Sequence, residues 1–118
     1  MDESKKTLNA LEAANLRFSL GQNFLLAGTD SFLIESIIRQ IKTLMRSKTE
    51  FDTIIVYADE VSAGELAEHL DTFTIFSANK LVIIKNTEQL RKNEIEIISA
   101  YFDAPAENQS LIIVIDKF

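Results

Sequence analysis

Apolar residues along this chain follow two alternating rhythms. Short continuous runs are separated by stretches in which apolar residues recur every three or four positions. The first rhythm suits strands covered on both faces, the second amphipathic helices. Asn23-Phe24-Leu25-Leu26-Ala27 is a first such run, stopped by Gly28-Thr29-Asp30. Asp30 is a good helix cap, and behind it Ile34, Ile37, Ile38, Ile41 and Met45 share one helical side while Glu35, Arg39, Lys42 and Arg46 fall largely on the other. Asp52-Thr53-Ile54-Ile55-Val56-Tyr57 is β-branched and nearly continuous, as in a strand buried on both faces.

Further along, Ser62 and Glu65 have the spacing of a capping box, and Leu66 and Leu70 give the helix behind them an inner side. Leu81-Val82-Ile83-Ile84 is a third strand, stopping at Lys85-Asn86. Asn93 and Glu96 predict another capping box, with Ile95, Ile98, Tyr101 and Phe102 as the apolar stripe and Pro105, the only proline, just beyond. Ser110-Leu111-Ile112-Ile113-Val114-Ile115-Asp116 is the strongest strand in the sequence. Ahead of all these, Ser4 predicts the cap of a short helix with Leu8, Leu11 and Leu16 on one side, ending near Gly21.

Strands separated by helices need crossover connections, so the expected fold is α/β, a parallel sheet with helices on both faces. Residues 1–118 suffice for one domain with a single core. The chain stops shortly after its fourth predicted strand, where domains rarely end, so it is read as the first domain of a longer protein.

Composition narrows the function. Hydrophobic residues make up 47% and charged residues 25%, the balance of an ordinary globular domain. No apolar run approaches the length of a membrane helix, and Met1-Asp2-Glu3-Ser4-Lys5-Lys6 lacks the apolar core of a secretory signal. Cysteine is absent, which excludes disulfides and cysteine-ligated metals and fits a cytoplasmic setting. The net charge is −6, and the longest basic runs are Lys5-Lys6 and Arg91-Lys92. Duplex binders draw affinity from counterion release by a basic patch, so this domain alone is expected not to bind nucleic acid.

Candidate chemistry is sparse. A phosphate loop needs glycines whose N–H groups cradle phosphates, a lysine for the terminal phosphates and a hydroxyl for magnesium. The first strand-to-helix turn, Gly28-Thr29-Asp30-Ser31-Phe32-Leu33, has one glycine, no lysine, and an aspartate facing any incoming phosphate. Gly28 is read as a tight-turn residue. His69, the only histidine, is expected to face solvent, and Asp116, Asp59, Glu60, Glu94 and Glu96 read as solvated charges. No catalytic, metal or cofactor site emerges. A small nucleotide-binding enzyme with an unusual loop and a receiver-type signalling module remain as alternatives; the latter needs acidic residues where Ala27-Gly28 ends the first strand.

One stretch stands apart: Asp71-Thr72-Phe73-Thr74-Ile75-Phe76-Ser77 crowds three large apolar residues between a helix end and a strand. Composition alone favours packing them into the core. Exposed, they would form a partner site.

The order of several motifs resembles the delta subunit family of bacterial DNA polymerase III, the clamp-loader component that handles the sliding clamp. Gly28-Thr29-Asp30-Ser31-Phe32-Leu33-Ile34-Glu35 is similar to that family's Gly-acidic turn into a Leu-Ile-Glu helix. Phe51-Asp52, Asp59-Glu60-Val61-Ser62, Glu65-Leu66, Phe76-Ser77, Leu81 to Asn86 and the strand running from Leu111 to Lys117 follow in the family's order. The resemblance implies an AAA+-like, degenerate P-loop-like fold that has lost ATP binding, with Lys85-Asn86 standing where magnesium-binding acids would be. It also implies clamp-binding residues at Phe73, Thr74, Ile75 and Phe76. Many relatives carry Pro-Phe-Phe where this chain has Thr74-Ile75-Phe76, so the anchor remains apolar with one aromatic ring fewer. In that light Ile75 and Phe76 face the clamp, and Phe73 stays with the core or the approach. The implied partners are the sliding clamp (beta) and, through regions beyond this domain, the other clamp-loader subunits. Catalysis, including ATP hydrolysis and nucleotidyl transfer, would belong to other subunits.

Overall fold

The computed structural model describes the backbone of residues 6–8 and all atoms of residues 22–71 and 79–115. Five strands are seen: β1 (Lys6–Leu8), β2 (Phe24–Ala27), β3 (Asp52–Tyr57), β4 (Lys80–Lys85) and β5 (Gln109–Ile115). Three α-helices accompany them, α1 (Ser31–Arg46), α2 (Ala63–Asp71) and α3 (Lys92–Asp103), and a 3-10 turn covers Thr87–Gln89. The strands form one parallel sheet in the order β1-β2-β5-β4-β3.

That order places the helices. The connection from β2 to β3 runs across two strands in one direction, while β3 to β4 and β4 to β5 step back in the other. Right-handed crossovers therefore send α1 to one face and α2 and α3 to the opposite face. Two separate cores result. On the α1 face, Ile34, Ile37, Ile38, Ile41 and Met45 pack on Phe24, Leu26, Leu81, Ile83, Ile112 and Val114. On the other face, Leu66, Leu70, Ile98 and Tyr101 pack on Val56, Val82, Ile84, Leu111 and Ile113. Five buried aliphatic side chains on α1, each contributing roughly 1.5–3 kcal/mol, put that helix's docking on the order of 10 kcal/mol before ordering costs.

The expected α/β fold with helices on both faces is present, and local signals explain much of it. Asp30 accepts a hydrogen bond from the Leu33 N–H at 3.1 Å, capping α1. Ser62 and Glu65 make the predicted reciprocal box, Glu65 N–H to Ser62 Oγ at 3.1 Å and Ser62 N–H to Glu65 Oε1 at 3.2 Å.

Four expectations are corrected. Lys6–Leu8, predicted as the start of a helix capped by Ser4, is a strand paired with Phe24–Leu26; the rest of that predicted helix lies outside the described residues. Leu8 begins no helical stripe because a free sheet edge beside β2 offers its backbone three ladder positions. β3, predicted as buried on both faces, is an edge strand whose Thr53, Ile55 and Tyr57 are exposed. Its apolar run reports β-propensity, not position in the sheet. The predicted box at Asn93 and Glu96 is absent: α3 begins at Lys92 with Arg91 as its N-cap. The buried face also differs from the predicted stripe: Glu94 is buried along with Ile98 and Tyr101, while Ile95 is 50% exposed. Finally, Gly28 has no left-handed backbone, and a Cβ there would meet only Ile34 Cδ1 at 3.8 Å, an ordinary contact. Its turn does not require glycine.

Candidate functional site

A parallel sheet has two unlike ends, and both carry candidate chemistry. In open α/β sheets, ligands bind beyond the carboxyl ends of the strands. Here that end is formed by Gly28, Ala58, Asn86 and Ile115, whose ladders are continued by Gly28 N–H to Ile115 O at 3.0 Å and Ala58 N–H to Lys85 O at 2.9 Å. The N-terminus of α1 points there, the natural place for a phosphate. Asp30 already occupies it, its carboxylate on the Leu33 N–H, so the helix dipole is met by an internal anion.

The end of β4 is closed in the same manner. Lys85 makes an ion pair with Glu35 of α1. Asn86 adopts a left-handed backbone, φ 58°, which asparagine tolerates better than most residues. Its amide donates to Asp59 Oδ1 at 3.0 Å, and the next residue, Thr87, donates to the Val114 carbonyl at 2.6 Å. Lys85 and Asn86 thus steer the chain off β4 and lock the neighbouring strands. The groove between α3 and the sheet beside this end is apolar, lined by residues such as Leu25, Leu90, Phe102 and Ile115, with Glu88 the only charge among its lining residues. Among the described residues, no cluster of acids, histidines or cysteines could hold a metal, and no helix is long and apolar enough to cross a membrane.

The amino end of the sheet is built differently. The expected clamp-binding residues Phe73, Thr74, Ile75 and Phe76 lie outside the described residues; Asp71, the last residue of α2, precedes them and Asn79, just before β4, follows them. The chain re-enters the sheet under close control: Asp52 N–H donates to the Asn79 carbonyl at 3.1 Å, Lys80 N–H to the Asn108 carbonyl at 2.9 Å, and the Asn79 amide to Thr49 Oγ1 at 2.8 Å.

Lys80 was not singled out by sequence, because a lysine opening an apolar run reads as a solvated strand end. It is instead buried, 3% exposed, and its ammonium donates to the His69 carbonyl in the last turn of α2 at 2.6 Å. Burial pushes its pKa down from the usual lysine range, and the nearby Asp71 carboxylate opposes that shift. His69 itself is half-buried rather than solvent-facing. Tyr101 and Gln109 share this end of the sheet. Burial raises the Tyr101 pKa, with the Ala106 backbone and the Gln109 side chain pulling the other way. The Tyr101 hydroxyl and the Gln109 amide nitrogen nevertheless lack a hydrogen bond of good geometry.

Comparison with known proteins gives one result. No curated protein matches the chain, and no solved structure does. A family model described as DNA polymerase III, delta subunit, matches residues 24–118. That span runs from the first residue of β2 through all three helices and β5, well over half of the chain. The chain belongs to the delta subunit family of DNA polymerase III.

Proposed function

We propose that this domain grips a sliding clamp through Ile75 and Phe76 and so helps to open the ring during DNA replication, as a cytoplasmic, non-hydrolysing part of a clamp loader. The observation that carries the reading is family membership across residues 24–118, a span that includes the apolar segment between α2 and β4. Two anchors of this size contribute on the order of 3–6 kcal/mol from apolar burial before ordering costs. That is enough to make them the hot spots of a modest interface. The remaining clamp-loader subunits would engage regions beyond this domain. The direct test is equilibrium binding to the cognate clamp; a folded protein with no measurable affinity overturns the proposal.

Nucleotide hydrolysis falls to other subunits in this reading. The support is chemical: Asp30 holds the phosphate position at α1, and Lys85 and Asn86, engaged with Glu35 and Asp59, stand where magnesium-binding acids would be. Calorimetry with ATP and magnesium is expected to give no binding heat. Micromolar affinity would overturn this part and favour the nucleotide-binding alternative.

The domain is also proposed to leave DNA to its partners. With a net charge of −6, its field repels phosphate. A gel-shift titration with duplex DNA at physiological salt is expected to show no complex at low-micromolar protein. A complex that weakens steeply with added salt would show that the charges are locally arranged into a basic stripe after all.

A further inference from the structure

We propose that Lys80 is a positioning residue for the clamp anchor, holding together the two ends of the chain between which Phe73 to Phe76 lie. This rests on the reading of that segment as the clamp-binding element.

A lysine is an expensive choice for the first position of β4. Every one of the next four residues, Leu81 to Ile84, is buried and apolar, and Lys80 is buried with them. Desolvating an ammonium costs several kcal/mol unless strong acceptors meet it. One such acceptor is the His69 carbonyl, 2.6 Å from Nζ. It belongs to the last turn of α2, where helix carbonyls have no intrahelical partner and the dipole presents its negative end. Asp71 adds a carboxylate nearby. These acceptors offset part of the cost of burying the ammonium, and only a long side chain reaches from the strand to the helix end.

The contact also has topological meaning. His69 lies before the proposed anchor segment and Lys80 after it, so one hydrogen bond between residues eleven positions apart joins the two flanks of that segment. The exit side is fixed separately by the Asn79 bonds to Thr49 and Asp52 and by the Lys80 N–H on Asn108. The Asn79 and main-chain bonds hold the exit on the sheet. Lys80 Nζ ties the entry, the end of α2, to that exit. Fixing both ends lowers the ordering cost of presenting two apolar side chains to a partner.

A lysine serving stability alone would make a different prediction, and a double-mutant cycle separates the two. Clamp affinity is measured for the wild type, Lys80→Met, Phe76→Ala and the double variant, each checked for folding by chemical denaturation. Methionine keeps the apolar stem and removes the ammonium. Lys80→Met is expected to weaken binding about tenfold, and in the Phe76→Ala background to weaken it less than about threefold, because a mispositioned anchor that is already gone has nothing more to lose. If Lys80→Met does not fold, Lys80→Gln replaces it in the same cycle, with the same coupling expected.

A fully additive cycle, or an unchanged affinity for Lys80→Met, overturns the proposal while leaving the anchor itself intact. Failure of the wild type to bind, or indifference to Phe76→Ala, instead removes the reading of the segment, and this proposal with it.

Discussion

Phe76→Ala is expected to weaken clamp binding by about 2 kcal/mol or more, roughly thirtyfold in Kd, while leaving the melting temperature nearly unchanged. The affinity loss follows from removing most of a hydrophobic side chain from an apolar pocket, which at the centre of an interface costs more than its area suggests. The expectation of unchanged stability follows from the proposed orientation of Phe76 toward the clamp, away from the two cores. Among the described residues, α1 packs against Phe24, Leu26, Leu81, Ile83, Ile112 and Val114 on one face of the sheet, and α2 with α3 against Val56, Val82, Ile84, Leu111 and Ile113 on the other. A side chain that faces the clamp adds little to either. Were Phe76 a core residue, the same truncation would cost about 3–5 kcal/mol of stability. Both quantities are read on one variant, thermal unfolding and clamp titration. A large drop in melting temperature, or unchanged affinity, would mean that packing had been mistaken for recognition.

The sequence made some of this architecture legible and concealed the rest for identifiable reasons. α1 was readable in full, since its five buried residues repeat at helical spacing behind an aspartate cap, and all five are buried. The Ser62–Glu65 box was equally plain, because a capping box is a local device that needs no tertiary contact. Asn93 and Glu96 show the limit of that logic. The same spacing is present, yet α3 is capped at Arg91, two residues before Asn93, and Glu94 faces inward with Ile98 and Tyr101, so tertiary fit overrides the local signal. Strand order was not legible at all. Nothing in Lys6-Thr7-Leu8 announces an edge strand, since three residues gain strand character only from the neighbour that pairs with them. The proposed clamp segment is marked only by the resemblance to a family, because composition alone sends three large apolar residues to the core. Lys80 is not legible in the sequence because its contact depends on where α2 ends in space, and a strand-initial lysine looks the same whether it meets water or the His69 carbonyl.

Two isoleucines that the sequence cannot tell apart should differ several-fold in what they contribute to stability. Ile55 and Ile83 each sit inside a β-branched or aliphatic run, and they are register partners on adjacent strands, pointing to the same face of the sheet. The row continues through Ile112 to Phe24. Exposure along it is 0% at Phe24 and Ile112, 1% at Ile83 and 44% at Ile55, so the cover supplied by α1 stops one strand short of the edge. Removing the Ile83 side chain beyond Cβ leaves a cavity under α1 that the surrounding rigid residues fill only in part. Ile83→Ala is therefore expected to cost about 2–5 kcal/mol, a large share of the roughly 5–15 kcal/mol that typically stabilises a domain. Ile55→Ala opens no enclosed space, and water already reaches much of the side chain, so its expected cost is under about 1 kcal/mol. Urea denaturation of the two variants gives the comparison directly, since a shift in midpoint at constant m-value reports stability alone. Equal losses at the two positions would mean that α1 or another element covers β3 as well, and that the sheet's edge lies elsewhere.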